Sequence, residues 1–590
     1  MQTNDRQITE LMKAVDTGSA QLPDFQRGWV WDDNRIKALI ASITNNFPVG
    51  AAMFLEYGNA DIRFKYRVIE GSPADRVVPA ELILDGQQRI TSMYSSLYSP
   101  KPVHTKTDKG KEIQRFYYID IKKALDPSCD RVDAIISVPE TRKITSNFGR
   151  KDVLDVSTPD LEYEKKLFPL NMILDSSKTF MWMQGYMAYH KNDPAIVKEW
   201  IDFQGKIIMA VFQYKMPVIL LDRNTPKEAV CQVFENVNTG GVSLTVFELL
   251  TAVFAMDDFE LRKDWQSRYD KYFNGDILSV ITATDFLTAL TLLSSYKKGG
   301  TVSCKKKDVL NLALSEYRKY ADDLSEGFVE AEKILQEERI FVSRDLPYTT
   351  QLIPLAVLCT ILAEDRKIKI TNIKNKIKQW YWCGVFGELY GSANETRYVN
   401  DVVGVMEWIN DDTKLPKTVA EAYFNPLRLL TLQSRLSAAY KGIMALILKN
   451  HSKDFISGRE MDFTVYKAEG VDIHHVFPKD YCEKQRYPRE KWNSVVNKTP
   501  ISYSTNREIG GVAPGKYLDK IAQKGQVAVS VLDSYLESHW LNVTACRTDN
   551  FDMHIIERAK KLLDAIESAM GKAISGRDSQ DVVDKFGNKL

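Results

Sequence analysis

The sequence predicts an α+β chain of several domains, and three observations predict it. At 590 residues the chain is longer than a single hydrophobic core usually supports. Over roughly the first 250 residues short apolar strands mix with helices, and helical spacing of apolar residues then runs to about residue 450. Beyond that point short strands return around the adjacent pair His474-His475. The expected segments are 1–250, 251–450 and 451–590.

In chain order, Ala80-Glu81-Leu82-Ile83-Leu84 reads as a buried strand that runs through Asp85-Gly86 into a helix over Ile90–Leu97. Phe116–Ile121 and Met216–Leu221 read as further strands, and a helix is expected to begin near Thr245. Lys297, Lys298, Lys305, Lys306 and Lys307, with Gly299 and Gly300, make Ser295–Lys307 an expected solvated basic loop. Helical spacing continues over Val309–Gln336, and over Leu427–Leu448 after the helix-start pair Asn425-Pro426. Val471–Val476 should be a strand ended by Pro478, Lys479–Lys491 a loop, and Lys498–Ser502 a second strand. Gly510, Gly511, Pro514 and Gly515 require any helix carrying Asn506 to be short.

Composition narrows the class. The net charge is +1, so nucleic-acid binding has to come from local basic patches and not from a global field. The seven cysteines form no Cys-x-x-Cys pair, which speaks against a structural zinc knuckle and a secreted disulfide framework. No basic-apolar leader opens the chain and no apolar run is long enough to span a bilayer. A cytoplasmic protein without a membrane partner is expected.

The richest constellation is C-terminal: His474-His475-Val476-Phe477-Pro478, then Asn497, then Asn506. Hydrolysis of a phosphodiester needs a deprotonated water in line with the leaving oxygen, and a cation on the developing charge. Histidine suits the base because it titrates near neutrality. Mg²⁺ or Mn²⁺ takes few protein ligands and keeps several waters, so a sparse His and Asn set suffices. Asp472 lies two residues before His474, on the same strand face, and is a candidate supplement to the metal shell. Lys498 and Arg507 lead a group of nearby cations suited to phosphate contacts.

Three N-terminal motifs accompany it. Pro23–Trp31 contains Arg27 among Phe25, Trp29 and Trp31, aromatics that fit either a core or a recognition pocket. Asp85-Gly86-Gln87-Gln88-Arg89 places a glycine turn, amide donors and a guanidinium at a helix start, an arrangement suited to phosphate. Phe234–Thr245 supplies Asn236, Asn238 and Thr239 before another helix, as a binding loop or as a plain helix cap.

Taken together, the motifs resemble the GmrSD-type modification-dependent restriction endonucleases and their SspE-like, phosphorothioate-dependent relatives. The resemblance covers nearly the whole chain, including Phe386–Ser392, Asp401 and the closing Ala565–Gly571. It implies a ParB/sulfiredoxin-like α/β domain, a helical region, and a ββα-metal (HNH) nuclease domain with flanking helices. It also implies roles: His475 as general base, Asn497 as the brace of its loop, and His474 and Asn506 as metal ligands. Arg27, Asp85, Gly86, Gln87, Gln88, Arg89, Asn236, Asn238 and Thr239 become expected nucleotide-binding residues, the triphosphate being GTP, UTP, CTP or ATP. The expected activity is a prokaryotic defence endonuclease that cleaves or nicks modified phage DNA, with NTPase activity in its sensor domain. Two alternatives stay open: a nucleotide-gated DNA-binding regulator with an inactive HNH-like fold, and an abortive-infection nuclease acting on unmodified DNA or RNA. Homo-oligomerisation also stays open.

Overall fold

Apolar runs in the first part of the chain pair into a six-stranded mixed sheet. Its strands are β1 (Gln2–Gln7), β2 (Ala20–Pro23), β3 (Ala52–Glu56), β4 (Tyr66–Arg67), β5 (Glu81–Asp85) and β12 (Lys215–Leu221), in the order β1-β12-β3-β5-β2-β4. β12 runs parallel to β3 and β2 parallel to β5, while β3 and β5 are antiparallel with Phe54 opposite Ile83. The computed structural model describes residues 2–24, 26, 28–58, 64–146, 151–226, 229–230, 245–392, 394–525 and 527–590. Within it the chain divides into two compact units, Met1–Leu261 and Arg262–Leu590.

In the first unit, helix α1 (Ile8–Asp16) turns Ile8, Leu11, Met12 and Val15 inward, the spacing of an amphipathic helix. Helix α2 (Asp33–Thr44) is capped by Asp32, whose side chain accepts from the Arg35 amide at 3.0 Å. Helix α3 (Gln87–Leu97) follows β5 directly. It starts three residues earlier than expected, because Gly86 at φ +88° makes the strand-to-helix turn by itself. A second sheet forms around β7 (Glu112–Asp120), which pairs with β6 (Val103–Lys106), β8 (Ile135–Pro139) and β11 (Leu167–Pro169), and β9 (Lys143–Ser146) pairs with β10 (Lys151–Asp155). Asp33 at the start of α2 accepts from Tyr117 of β7 (2.8 Å) and Ser137 of β8 (2.7 Å), tying this sheet to the helix. The three strands read from sequence correspond to β5, β7 and β12.

The second unit is mostly helical. Its middle is the Leu352–Glu364 helix, apolar all round and buried from Leu352 to Leu362. Buried Asp401 accepts from the Tyr390 hydroxyl, joining two of the helical matches named above. Late in this unit lies one antiparallel hairpin, β13 (Val471–His475) with β14 (Lys498–Ser502), as expected. The helix beginning after Thr245 is also as expected: Val246–Phe254, with the Thr245 amide bonded to Glu248 at 3.0 Å.

Four local expectations are corrected. The basic loop shrinks to residues 299–305, since one helix runs on to Lys298 and the next starts at Lys306. Asn311 to Ala313 breaks Val309–Gln336 into two helices. Leu427–Leu448 is interrupted from Leu432 to Ser437, where Ser434 accepts from the Leu436 amide and competes with the helical pattern. Lys479–Lys491 is not a loop but two short helices, Lys479–Lys484 and Arg489–Trp492, each preceded by a proline with φ near −60°. Among the described residues no helix is long and apolar enough to cross a membrane.

Candidate functional site

The β13–β14 hairpin places Asp472 and His474 on one face and Ile473 and His475 on the other. The short helix Tyr503–Ile509 packs beside it, carries Asn506, and ends at Gly510 with φ +70°. Its start is fixed by buried Asp454, which accepts from the Ser502 amide (3.0 Å) and the Thr505 hydroxyl (2.7 Å). Burial pushes the Asp454 carboxyl up, but hydrogen bonds from Ser457, Thr505 and Ser502 outweigh this and hold it below the usual carboxylate range.

On the first face His474 is 3% exposed, against Tyr517 and Phe455. Its Nδ1 lies 2.9 Å from Asn506 Oδ1. Asn506 Nδ2 donates to Asp472 Oδ2 at 2.8 Å, so the amide oxygen is turned toward the imidazole. Arg435 completes the row by donating to Asp472 Oδ1 at 2.7 Å. Burial, opposed by the Asn506 contact, lowers His474 to about 4 and keeps the ring neutral at pH 7. Its buried Nε2 has no hydrogen-bond partner among the described residues. A neutral imidazole nitrogen facing an oriented amide oxygen, with a carboxylate behind, is a donor set that fits a hard divalent cation. Among the described residues no group of three or more His, Cys, Asp or Glu is placed to hold a metal, so this sparse set is the one to test.

On the opposite face His475 packs near Trp492, its Nε2 3.4 Å from Asn493 Oδ1. Burial first, and then the Lys498 charge, lowers its pKa. Asn497 is fully buried. It accepts from the Phe477 amide (2.9 Å) and donates to the carbonyls of Phe477 (2.8 Å) and Trp492 (2.9 Å). That locks the chain just after His475, the geometry of a brace. Arg558, also fully buried, donates to the Val496 carbonyl next to it at 2.8 Å.

The two cations expected at DNA differ. Arg507 is exposed, its guanidinium 4.9 Å from the Tyr503 ring centre. Lys498 is 5% exposed, opposite His475 in the hairpin, and donates to the Gln433 carbonyl at 2.9 Å. Burial lowers it to about 8. It is a neighbour of His475 and not a surface phosphate contact, because the segment after Leu432 covers it.

The Asp85–Arg89 motif holds loops. Arg89 donates to the carbonyls of Val49 (2.7 Å) and Ala51 (2.9 Å) and to Asp85 (3.1 Å). Gln88 accepts from the Val30 amide at 2.9 Å and donates to the Gly28 carbonyl at 3.2 Å. Gln87 is buried. The expected phosphate grip by Gln88 and Arg89 does not fit this arrangement, since their side chains already serve the backbone of two loops. Arg27, Asn236, Asn238 and Thr239 lie outside the described residues.

The loop that Gln88 secures forms one wall of a cleft of about 1080 Å³, which the sequence reading missed. Trp29 and Trp31 contribute to this wall while also packing on the core, and Phe25 lies outside the described residues. More of its lining comes from β6 and β7, including Lys106 and Arg115, whose Nε is buried without a hydrogen-bond partner among the described residues.

Among known proteins, residues 8–255 match the family described as GmrSD restriction endonuclease, N-terminal domain. The match begins with α1 and ends beside the Val246–Phe254 helix, and so supports a GmrSD-type N-terminal domain. The chain is also similar to an uncharacterized protein of Methanocaldococcus jannaschii, 28% identical over 574 residues and covering 91% of each chain.

Proposed function

We propose that this chain is a defence restriction endonuclease. Residues 451–590 act as a metal-dependent HNH phosphodiesterase that cleaves or nicks modified foreign DNA. The N-terminal unit binds and turns over a nucleoside triphosphate and senses the DNA. One observation carries the reading: a β-hairpin and a short helix bring His474 onto Asn506 and leave His475 on a backbone braced by Asn497. The N-terminal family match adds the restriction context.

The chemistry follows from the side chains. Burial and Lys498 depress the His475 pKa, so the ring is neutral at pH 7 and able to take a proton from water. Asn493 aims the imidazole, and Asn497 fixes the peptide that carries it. His474 and Asn506 would hold Mg²⁺ or Mn²⁺, which would supply positive charge for the developing phosphorane. Exposed Arg507 takes a backbone phosphate, positioning DNA without reading sequence.

For the N-terminal unit, the cleft beside Trp29 and Trp31 is the place for a nucleotide or a modified base: aromatic faces for a ring and Lys106 and Arg115 for an anion. Cleavage of matched DNA panels, modified and unmodified, with and without GTP, UTP, CTP or ATP, tests the whole reading. Cutting of modified DNA that His475→Ala abolishes is the expected result. No cutting of any DNA would leave the DNA-binding regulator, and cutting indifferent to modification would favour the abortive-infection nuclease.

A further inference from the structure

Between two helices of the second unit, the segment from Leu432 to Ser437 runs along the hairpin and is tied to both sides of the candidate site. The Val495 amide donates to the Leu432 carbonyl at 2.8 Å. Gln433 receives Lys498 on its carbonyl (2.9 Å) and Asn493 on its side chain (3.4 Å), the two neighbours of His475. Arg435 holds Asp472, which holds the metal-ligand candidate Asn506. At the tip of this tethered segment Leu436 is 91% exposed, the largest exposure of any large apolar side chain among the described residues. A leucine held out beside an arginine, on a backbone anchored at both ends, buries almost none of its side chain in the folded chain.

Leu436 stands at the mouth of a cavity of about 220 Å³. Tyr440 and Met444 form part of its apolar lining, and Ile473 and Pro500 bring in the hairpin face that also carries His475. Ile473 is two residues from His475, about 6.5 Å along an extended strand. Four cations line the cavity: Arg344 beside Asp345, Arg435 paired with Asp472, Arg339 paired with Glu460 (2.6 Å), and Lys441, which donates to the Leu346 carbonyl (3.0 Å). An apolar floor with a cationic rim, next to a phosphodiester-cleaving site, matches a nucleobase and the phosphates on either side of it.

We propose that Leu436 is a wedge which enters the DNA base stack beside the scissile phosphate, and that the cavity beneath it receives the displaced base. Arg344, exposed at the rim, takes a flanking phosphate, while Arg435 connects the wedge to Asp472 and so to the candidate metal ligands. Apolar wedges unstack and kink duplexes in this way, and unstacking is easiest where a base is already unpaired or poorly stacked. Part of the choice of cut site then lies in the hairpin unit, as a preference for deformable DNA.

This rests on the nuclease reading, and the experiment separates the two. The full chain, Leu436→Ala and Leu436→Met are compared on the duplex of the panel that the wild-type chain cuts best, fully paired and with a single-base bulge at the cut site. Leu436→Ala is expected to cut the paired duplex about tenfold more slowly and to recover to within about twofold of wild type on the bulged one. Leu436→Met, which keeps an apolar wedge, should stay near wild type on both. Wild-type cutting of the paired duplex by Leu436→Ala overturns the wedge and leaves the nuclease standing. So does an equal slowing on both duplexes, which marks a merely structural role. Failure of the wild-type chain to cut any duplex of the panel overturns both readings.

Discussion

Two adjacent histidines meet different partners here because alternation along a strand sends them to opposite faces. His474 meets Asn506, and His475 meets Asn493 and the Lys498 charge. Removing the base while leaving the brace should separate chemistry from folding. His475→Ala is expected to lower cleavage by about 10²–10⁴-fold with an unchanged melting temperature. Asn497→Ala loses three buried hydrogen bonds and should both slow cleavage and destabilise the fold by about 1–3 kcal/mol, read by plasmid nicking and thermal melting. Buried histidines also set a pH dependence. Burial lowers His539 to about 3 and His554 well below its ordinary value. Both folded pKa values lie below that of the unfolded chain, near 6.5, so their contribution is complete above that pH. It is lost as pH falls from about 6.5 toward the folded values. Melting temperature should therefore drop on acidification below pH ~6.5. His554, with neither ring nitrogen partnered among the described residues, offers the control: His554→Leu should leave neutral-pH stability equal or higher and make the acid decline shallower. A steeper decline in that variant would refute the assignment.

At the scale of elements, both strands of the site and the short Asn506 helix were legible from apolar runs, Pro478 and the glycines after Asn506. The segment between the two helices flanking Leu432–Ser437 was not, because its apolar residues keep helical spacing while Ser434 and contacts far along the chain, Lys498 and Val495, bend the backbone away. The β5–α3 turn shows the reverse case. Asp-Gly announced the turn, yet the side chains expected to grip phosphate hold the backbone at Val49, Ala51, Gly28 and Val30. Two substitutions test that role. Gly86→Ala forces an L side chain to φ +88° and sets its Cβ 3.1 Å from Ala52 Cβ, and should cost about 1–2 kcal/mol or more of stability in the first unit. Arg89→Lys keeps the charge but cannot reach three acceptors with a planar fork. It should therefore lose nucleotide turnover as Arg89→Ala does, measured as phosphate release. Full turnover by the lysine variant would return Arg89 to a direct charge contact.

At the scale of the whole molecule, the proposed function gives the two units separable tasks. Arg115→Ala in the N-terminal cleft should weaken nucleotide binding and restriction, while the isolated nicking of DNA in Mn²⁺ persists. His475→Ala should do the opposite, keeping nucleotide turnover and losing all cutting. Loss of both activities in a folded His475→Ala protein would sink this division. The sequence alone determined the mixed strand-and-helix class, the hairpin that carries the histidines, and the His474, His475, Asn497 and Asn506 set. These rest on local periodicity, turn residues and short spacing. Only tertiary structure decided that Asp454 anchors the Asn506 helix, that Arg435 and Gln433 flank the site, that Lys498 is buried, and that Trp29 and Trp31 face a cleft. Each of those depends on residues tens of positions apart meeting in one core. Burial and partnership are properties of that packing, and no local pattern encodes them.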